Sequence, residues 1–120
     1  MRPRVFIWYS HPLFASAIES LLHRQGMECA GAASHPEQVL PAIARTRPDV
    51  VVADPVVERE HAHAVAELIR TCEPIRVLVL DPLDDVMRIY DSRGCGATRL
   101  DAVVRAIEEA AGRAASSASG

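Results

Sequence analysis

The chain has 120 residues, of which 49% are hydrophobic and 24% are charged, and its net charge is -3. This length accommodates one domain with its own core, and this composition excludes an intrinsically disordered chain. The negative net charge argues against a protein that binds nucleic acid by itself, because the phosphate polyanion would be repelled.

The cysteines and the apolar runs bear on the cellular compartment. There are 3 cysteines, an odd number without metal-ligand spacing, which is typical of thiols in a reducing compartment. No apolar run approaches the length of a membrane span, and the first residues lack the pattern of a signal peptide. We therefore expect a cytoplasmic protein that does not associate with membranes.

The strands are indicated by near-continuous runs of β-branched residues at positions 5–9, 49–53 and 77–80. Strands that are apolar at every position are typical of a parallel sheet covered by helices on both faces. A weaker alternation predicts another strand over residues 28–33, after a helix that stops at Gly26.

Apolar residues at helical spacing predict a helix between successive strands and one after the last strand. The positions of the prolines agree with this prediction, because several of them stand at or just before the predicted helix starts. The final helix is expected to begin near Arg99, which leaves only residues 95–97 for a fifth strand. The stripes are Phe14, Ile18, Leu21 and Leu22; Val39, Leu40 and Ile43; Val65, Leu68 and Ile69; Val86, Ile89 and Tyr90; and Leu100, Val103, Val104 and Ile107.

This alternation predicts an α/β fold, a doubly wound parallel sheet with strand order 2-1-3-4-5 and a shortened fifth strand. The domain is expected to span residues 1–113, and the Ala/Ser-rich residues 114–120 have the composition of a flexible tail or linker. In such sheets, ligands bind at the carboxyl ends of the strands where the strand order reverses. The residues at those ends are Tyr9, Ser10, Asp54 and Asp81.

Three segments resemble the receiver domains of bacterial two-component response regulators. The similarity extends over about residues 3–111 and is greatest to receivers that precede a LuxR-type helix-turn-helix. It implies the flavodoxin-like receiver fold, and it places Asp54 at the phosphoacceptor position of the family. The segments are Arg4-Val5-Phe6-Ile7 followed by His11-Pro12-Leu13-Phe14, then Arg47-Pro48-Asp49-Val50-Val51-Val52-Ala53-Asp54, then Arg76-Val77-Leu78-Val79-Leu80.

The other active-site positions depart from the family pattern. The resemblance implies two adjacent acids that hold magnesium, and this chain has Tyr9 and Ser10 there, which are poor ligands for a hard cation. Where the family has a serine or threonine, the chain has Asp81, which would repel a phosphoryl group at about 4 Å by roughly 4 kcal/mol at an effective dielectric of about 20. The family's lysine is missing, because all 13 basic residues are arginines.

These departures predict a degenerate receiver, or pseudo-receiver, with no enzymatic activity, no cofactor and no metal. We expect a phosphorylation-independent regulatory module, the N-terminal dimerisation or signal domain of a bacterial transcriptional regulator. It would form a homodimer and would reach DNA only through a helix-turn-helix domain outside this chain.

Two alternatives stay open at this point. In the first, the pocket of Ser10, Asp54 and Asp81 senses a small molecule, and the two carboxylates share a proton. In the second, the domain is a receiver that is still phosphorylated on Asp54.

Overall fold

The computed structural model describes residues 2–72 and 74–119, with side chains described for all of these up to residue 112. Within them lie six strands, five α-helices and one 3₁₀ turn, Leu100–Ala102. The strands are β1 (Arg4–Trp8), β2 (Glu28–Ala33), β3 (Val50–Ala53), β4 (Arg76–Asp81), β5 (Val86–Asp91) and β6 (Gly94–Arg99). The helices are α1 (Pro12–Arg24), α2 (Pro36–Thr46), α3 (Pro55–Glu60), α4 (Ala62–Thr71) and α5 (Val103–Ser119).

The strands form one mixed sheet in the order β2-β1-β3-β4-β5-β6. The predicted α/β class and the order of the first four strands are confirmed, and these four pair in parallel. The prediction of a wholly parallel sheet is wrong at the far edge, because β5 pairs antiparallel with β4, and β6 pairs antiparallel with β5.

The core has two layers, one on each face of the sheet. Alternate residues of β1, β3 and β4 point to opposite faces, and the central residues of these strands are fully buried, as their apolar runs predicted. Helices α1 and α5 cover one face, and α2, α3 and α4 cover the other. At the β1–β2 contact, a Cβ on Gly31 would lie 2.9 Å from the ring of Phe6, so only glycine allows this close approach.

The prediction of a helix over Val86, Ile89 and Tyr90 is wrong, because these residues lie in β5. Residues 82–85 form a tight turn that includes Asp85 in the left-handed region at φ 53°. Such a short connection returns the chain beside β4 as an antiparallel hairpin rather than as a crossover helix. The helical spacing of three apolar residues in so short a segment did not discriminate between the two structures.

The predicted short fifth strand at residues 95–97 is therefore the middle of β6, the sixth strand. The Ser92-Arg93 turn joins it to β5, and Gly94 takes a φ of 138°, which favours glycine. The expected start of the last helix near Arg99 is confirmed, since Arg99 precedes the 3₁₀ turn that leads into α5.

Two further sequence predictions concern the C-terminal tail and membrane-spanning helices. The predicted tail at residues 114–120 involves side chains that lie outside the described residues, as does all of Gly120, so the domain boundary at residue 113 stays a prediction. Among the described residues, no helix combines the length and the apolar character that crossing a membrane requires.

Candidate functional site

Asp54 follows β3 directly and caps the N-terminus of α3. Its Oδ1 accepts a hydrogen bond from the backbone N–H of Val57 at 3.0 Å. Pro55 occupies the first turn, where its missing N–H has no helical partner to lose. The segment after β3 is thus the helix α3, with Asp54 as its N-cap.

The second oxygen of Asp54 is held by Ser10, which follows β1. Both the backbone N–H and the hydroxyl of Ser10 donate to Asp54 Oδ2, at 2.6 and 2.7 Å. Asp54 is only 5% exposed, and among the described residues it is the one charged residue that is buried. Three donors therefore satisfy this carboxylate inside the protein, and hydrogen bonds to an ionised acceptor are the strong ones.

Tyr9 lies beside Ser10 but takes no part in this arrangement. Its backbone N–H donates to the carbonyl of Ala33 at 3.1 Å, and its half-buried side chain packs against the cluster of the α1 and α5 face. The structure thus assigns to Ser10 the contact with Asp54.

Asp81 ends β4 and lies in a second polar network. Its Oδ2 accepts from Arg88 Nη2 at 3.2 Å. The same guanidinium makes a two-pronged contact with Glu58 of α3, at 2.6 and 2.7 Å, and the hydroxyl of Tyr90 also donates to Glu58. The network ties the β5 strand to the helix that Asp54 caps.

These hydrogen bonds shift the pKa values of the groups that form them. The hydrogen bonds from Arg88 hold the pKa of the Glu58 carboxyl below its ordinary value. The same bonds raise the pKa of the Arg88 guanidinium. Burial, and then the bond to Glu58, raises the pKa of the Tyr90 hydroxyl. Each group is thus stabilised in the form that the network needs: carboxylate, guanidinium and neutral phenol.

Arg88 is the residue that sequence reasoning missed. The predicted helix was based on Val86, Ile89 and Tyr90 and gave Arg88 no role, whereas the register of the hairpin puts Arg88 opposite Val79 of β4. Asp81 is therefore an ion-paired carboxylate, so the repulsion expected from its charge is reduced. The guanidinium in turn donates from Nε and Nη2 to Glu58 and Asp81.

The residues at this edge do not fit a magnesium ion. Asp54 uses both carboxylate oxygens as acceptors for protein donors, and its neighbour at the β1 end is a serine. Within the described residues, no group of three or more histidine, cysteine, aspartate or glutamate side chains could hold a metal. Asp54 and Asp81 have different partners, so the geometry does not favour a proton shared between them.

Comparisons with known proteins identify structural neighbours. No protein-family model matches the chain, and a search of curated proteins found no match. Anti-anti-sigma factor PhyR from Bartonella quintana is similar over 66% of this chain and 33% of its own, with 20% identity and a TM-score of 0.57. The REC domain of the response regulator PhyR from Erythrobacter litoralis is similar over 70% of this chain and 67% of its own, with 24% identity and a TM-score of 0.53.

A third neighbour is PhyR from Bartonella quintana in complex with anti-sigma factor NepR. It is similar over 92% of this chain and 47% of its own, with 18% identity and a TM-score of 0.58. The chain spans about a third of the length of the first neighbour named above, PhyR from Bartonella quintana without NepR. At these identities the likeness establishes the fold, so the resemblance to receivers is confirmed at that level, while the LuxR-type subclass stays a prediction.

Proposed function

We propose that this domain is a regulatory receiver-like module that works without phosphorylation of Asp54, has no enzymatic activity and acts by binding other proteins. The receiver-domain neighbours support a regulatory receiver module. One observation carries the finer claim: a carboxylate that is 5% exposed and accepts hydrogen bonds from Ser10 and Val57 on both oxygens.

Phosphoryl transfer to a carboxylate requires an oxygen lone pair aimed at the incoming phosphorus, with charge stabilisation from a metal and a cation. In this pocket, Asp54 would have to give up donors that are each worth about 1.5–3 kcal/mol to a charged acceptor. The compensating cation is absent, since the chain has no lysine and Arg88 is held by Glu58 and Asp81. Both effects oppose phosphoryl transfer to Asp54.

The proposed output is protein association. A PhyR neighbour is described in complex with an anti-sigma factor, which supports a protein partner for a domain of this fold. We further propose that the domain is the N-terminal part of a cytoplasmic transcriptional regulator that forms a homodimer. DNA would then be contacted only by a helix-turn-helix domain outside this chain.

The test is intact-mass analysis after incubation with acetyl phosphate and magnesium, with a phosphorylatable receiver as positive control. We expect no gain of a phosphoryl group on the wild-type domain. A mass increase that Asp54→Asn removes and Asp81→Asn retains would contradict the proposal. It would favour the alternative in which the domain is a receiver that is phosphorylated on Asp54.

A further inference from the structure

The outer edge of β6 is open. Its six residues, Gly94–Arg99, are all exposed, and the strand pairs on one side only, with β5. Antiparallel pairing uses the backbone groups of alternate residues toward one neighbour, so the other half of the N–H and C=O groups of β6 face away from the sheet. In the part of the chain that the structure describes, no further strand covers them.

This edge also lacks the features that normally prevent strand addition. It contains no proline, its register with β5 is continuous, and its one charged residue is Arg99 at the end, which pairs with Asp85 and Asp101. The first four side chains are small, so they do not obstruct an approaching backbone. They are Gly94, Cys95, Gly96 and Ala97.

A cavity lies on each face of the hairpin at the Gly94 end. The larger, of about 500 Å³, lies between α4 and the hairpin, with Ile69 and Tyr90 among its lining residues. The smaller, of about 280 Å³, includes Ile89. Because Ile89 and Tyr90 are consecutive strand residues and belong to different core layers, the two cavities open on opposite faces.

A strand added beside β6 would project successive side chains to opposite faces, one toward each cavity. This is the arrangement of β-augmentation, in which main-chain bonds provide affinity and pockets for alternate side chains provide specificity. Apolar side chains of moderate size match cavities that border Ile69 and Ile89.

Asp91 lines both cavities and is paired with Arg76, so the charges left for a partner at this end of β6 are those of two arginines. Arg70 lines the larger cavity and Arg93 the smaller, and both are exposed. Neither guanidinium takes part in an ion pair within the described residues, in contrast to Arg99 at the other end of the strand. Acidic side chains on an incoming segment would be complementary to this pair.

We propose that β6 is a docking edge for an extended segment of a partner protein, with alternating apolar residues and acidic residues beside Gly94 and Cys95. This names the partner chemistry for the protein-binding role proposed above. A second copy of the chain fits less well, because its own β6 carries no large apolar side chain for the cavities and would bring arginine rather than acidic side chains to Arg70 and Arg93.

The test uses the ¹⁵N-labelled domain and two synthetic peptides of alternating valine and threonine. One peptide carries two glutamates at its N-terminus, and the other carries two glutamates at its C-terminus. One of the two orientations is expected to shift the β6 amide resonances and to slow hydrogen exchange at alternate β6 amides about tenfold. Arg70→Glu combined with Arg93→Glu is expected to weaken binding at least about tenfold. The matched control Arg45→Glu, on α2, is expected to leave it unchanged.

Three outcomes would overturn the proposal. The first is no exchange protection in β6 with either glutamate peptide at millimolar concentration. The second is equal binding of a lysine-terminated peptide, or of one that is N-methylated at alternate residues. The third is protection of β6 in the domain alone as its concentration rises, which assigns the edge to a second copy. None of these depends on phosphorylation, so this proposal and that of a silent Asp54 fail independently.

Discussion

The two ends of the sheet differ in how their strands are supported. β1, β3 and β4 are covered by helices on both faces, and their central side chains are fully buried. β6 is exposed at all six positions. β5, between β4 and β6, buries Met87 and pairs with β4 through its backbone, and the ion pairs of Arg88 and Arg76 tie it further to α3 and β4. We therefore expect most of the stability to reside in the parallel part of the fold, and the position of the hairpin to depend in part on these polar contacts.

The largest effect is expected in the parallel part. Trp8 is fully buried, its indole N–H donates to the Ser34 carbonyl at 3.3 Å, and its ring stacks on His61 at 6.0 Å. Trp8→Ala is expected to lower the free energy of unfolding by about 3–5 kcal/mol, since it leaves a large cavity. Urea unfolding followed by far-UV circular dichroism measures it, and a loss below about 1 kcal/mol would contradict the burial.

Breaking the link to the hairpin comes next. Arg88→Met would leave the carboxylates of Glu58 and Asp81 without their cation while they stay mostly buried. We expect a loss of about 1–3 kcal/mol, below that of a fully buried pair because these side chains are partly exposed to solvent. Hydrogen exchange should show the loss concentrated in β5 and β6. Uniform loss across the sheet would mean that the hairpin is not a separate element.

The Ser10 contact tests the other polar cluster. Ser10→Ala removes the hydroxyl bond to Asp54 and keeps the backbone N–H bond, so we expect a loss of about 1–2 kcal/mol. Ser20→Ala, on the exposed face of α1, is the matched control and should change stability by less than about 0.5 kcal/mol. Equal losses of stability for Ser10→Ala and Ser20→Ala would show that the Ser10 hydroxyl does not stabilise the fold through Asp54.

The network of Glu58 and Tyr90 also predicts the pH dependence of stability. The folded-state pKa of Glu58 is depressed, so its contribution is present above the unfolded pKa of about 4.5 and is lost as the pH falls toward the folded value. The pKa of Tyr90 is raised, so its contribution is present below about pH 10 and is lost at higher pH. Glu58→Gln should flatten the acid limb and Tyr90→Phe the alkaline limb of urea-unfolding free energy against pH. Unchanged limbs would contradict the network.

The smallest effect is expected on β6. Thr98 is exposed and lies opposite Met87, one pair from the end of the β5–β6 register. Thr98→Ala should change the free energy of unfolding by less than about 0.5 kcal/mol, as is usual for surface positions. A loss comparable to that of Trp8→Ala would show that the edge strand is packed and would remove the contrast between the two ends of the sheet.

Strands β1, β3 and β4 could be predicted because residues 5–8, 50–53 and 77–80 are all buried, and strands buried on both faces have continuous apolar runs in the sequence. The hairpin could not be predicted, because Val86, Ile89 and Tyr90 satisfy helical spacing and also have high β propensity. The turn at residues 82–85 decides between the two structures. The useful signal was the short connection with its two acids, which leaves no room for a crossover.

At the candidate site, the sequence identified the residues but not their partners. Ser10, Asp54 and Asp81 do end neighbouring strands, because the topology of the parallel part fixes those positions. That Ser10 donates to Asp54 depends on a turn geometry that no periodicity encodes. The pairing of Arg88 with Asp81 depends on the hairpin register, so an error in one element removed the counter-ion from the predicted site.

The central claim is that Asp54 is a structural N-cap and no longer a phosphoacceptor. It is tested most directly by the ¹⁵N resonances of the amides that donate to it, Ser10 and Val57, during titration with magnesium and beryllofluoride, which mimics an aspartyl phosphate. The account predicts that both resonances stay in place throughout the titration. Saturable shifts of both that Asp54→Asn abolishes would contradict it.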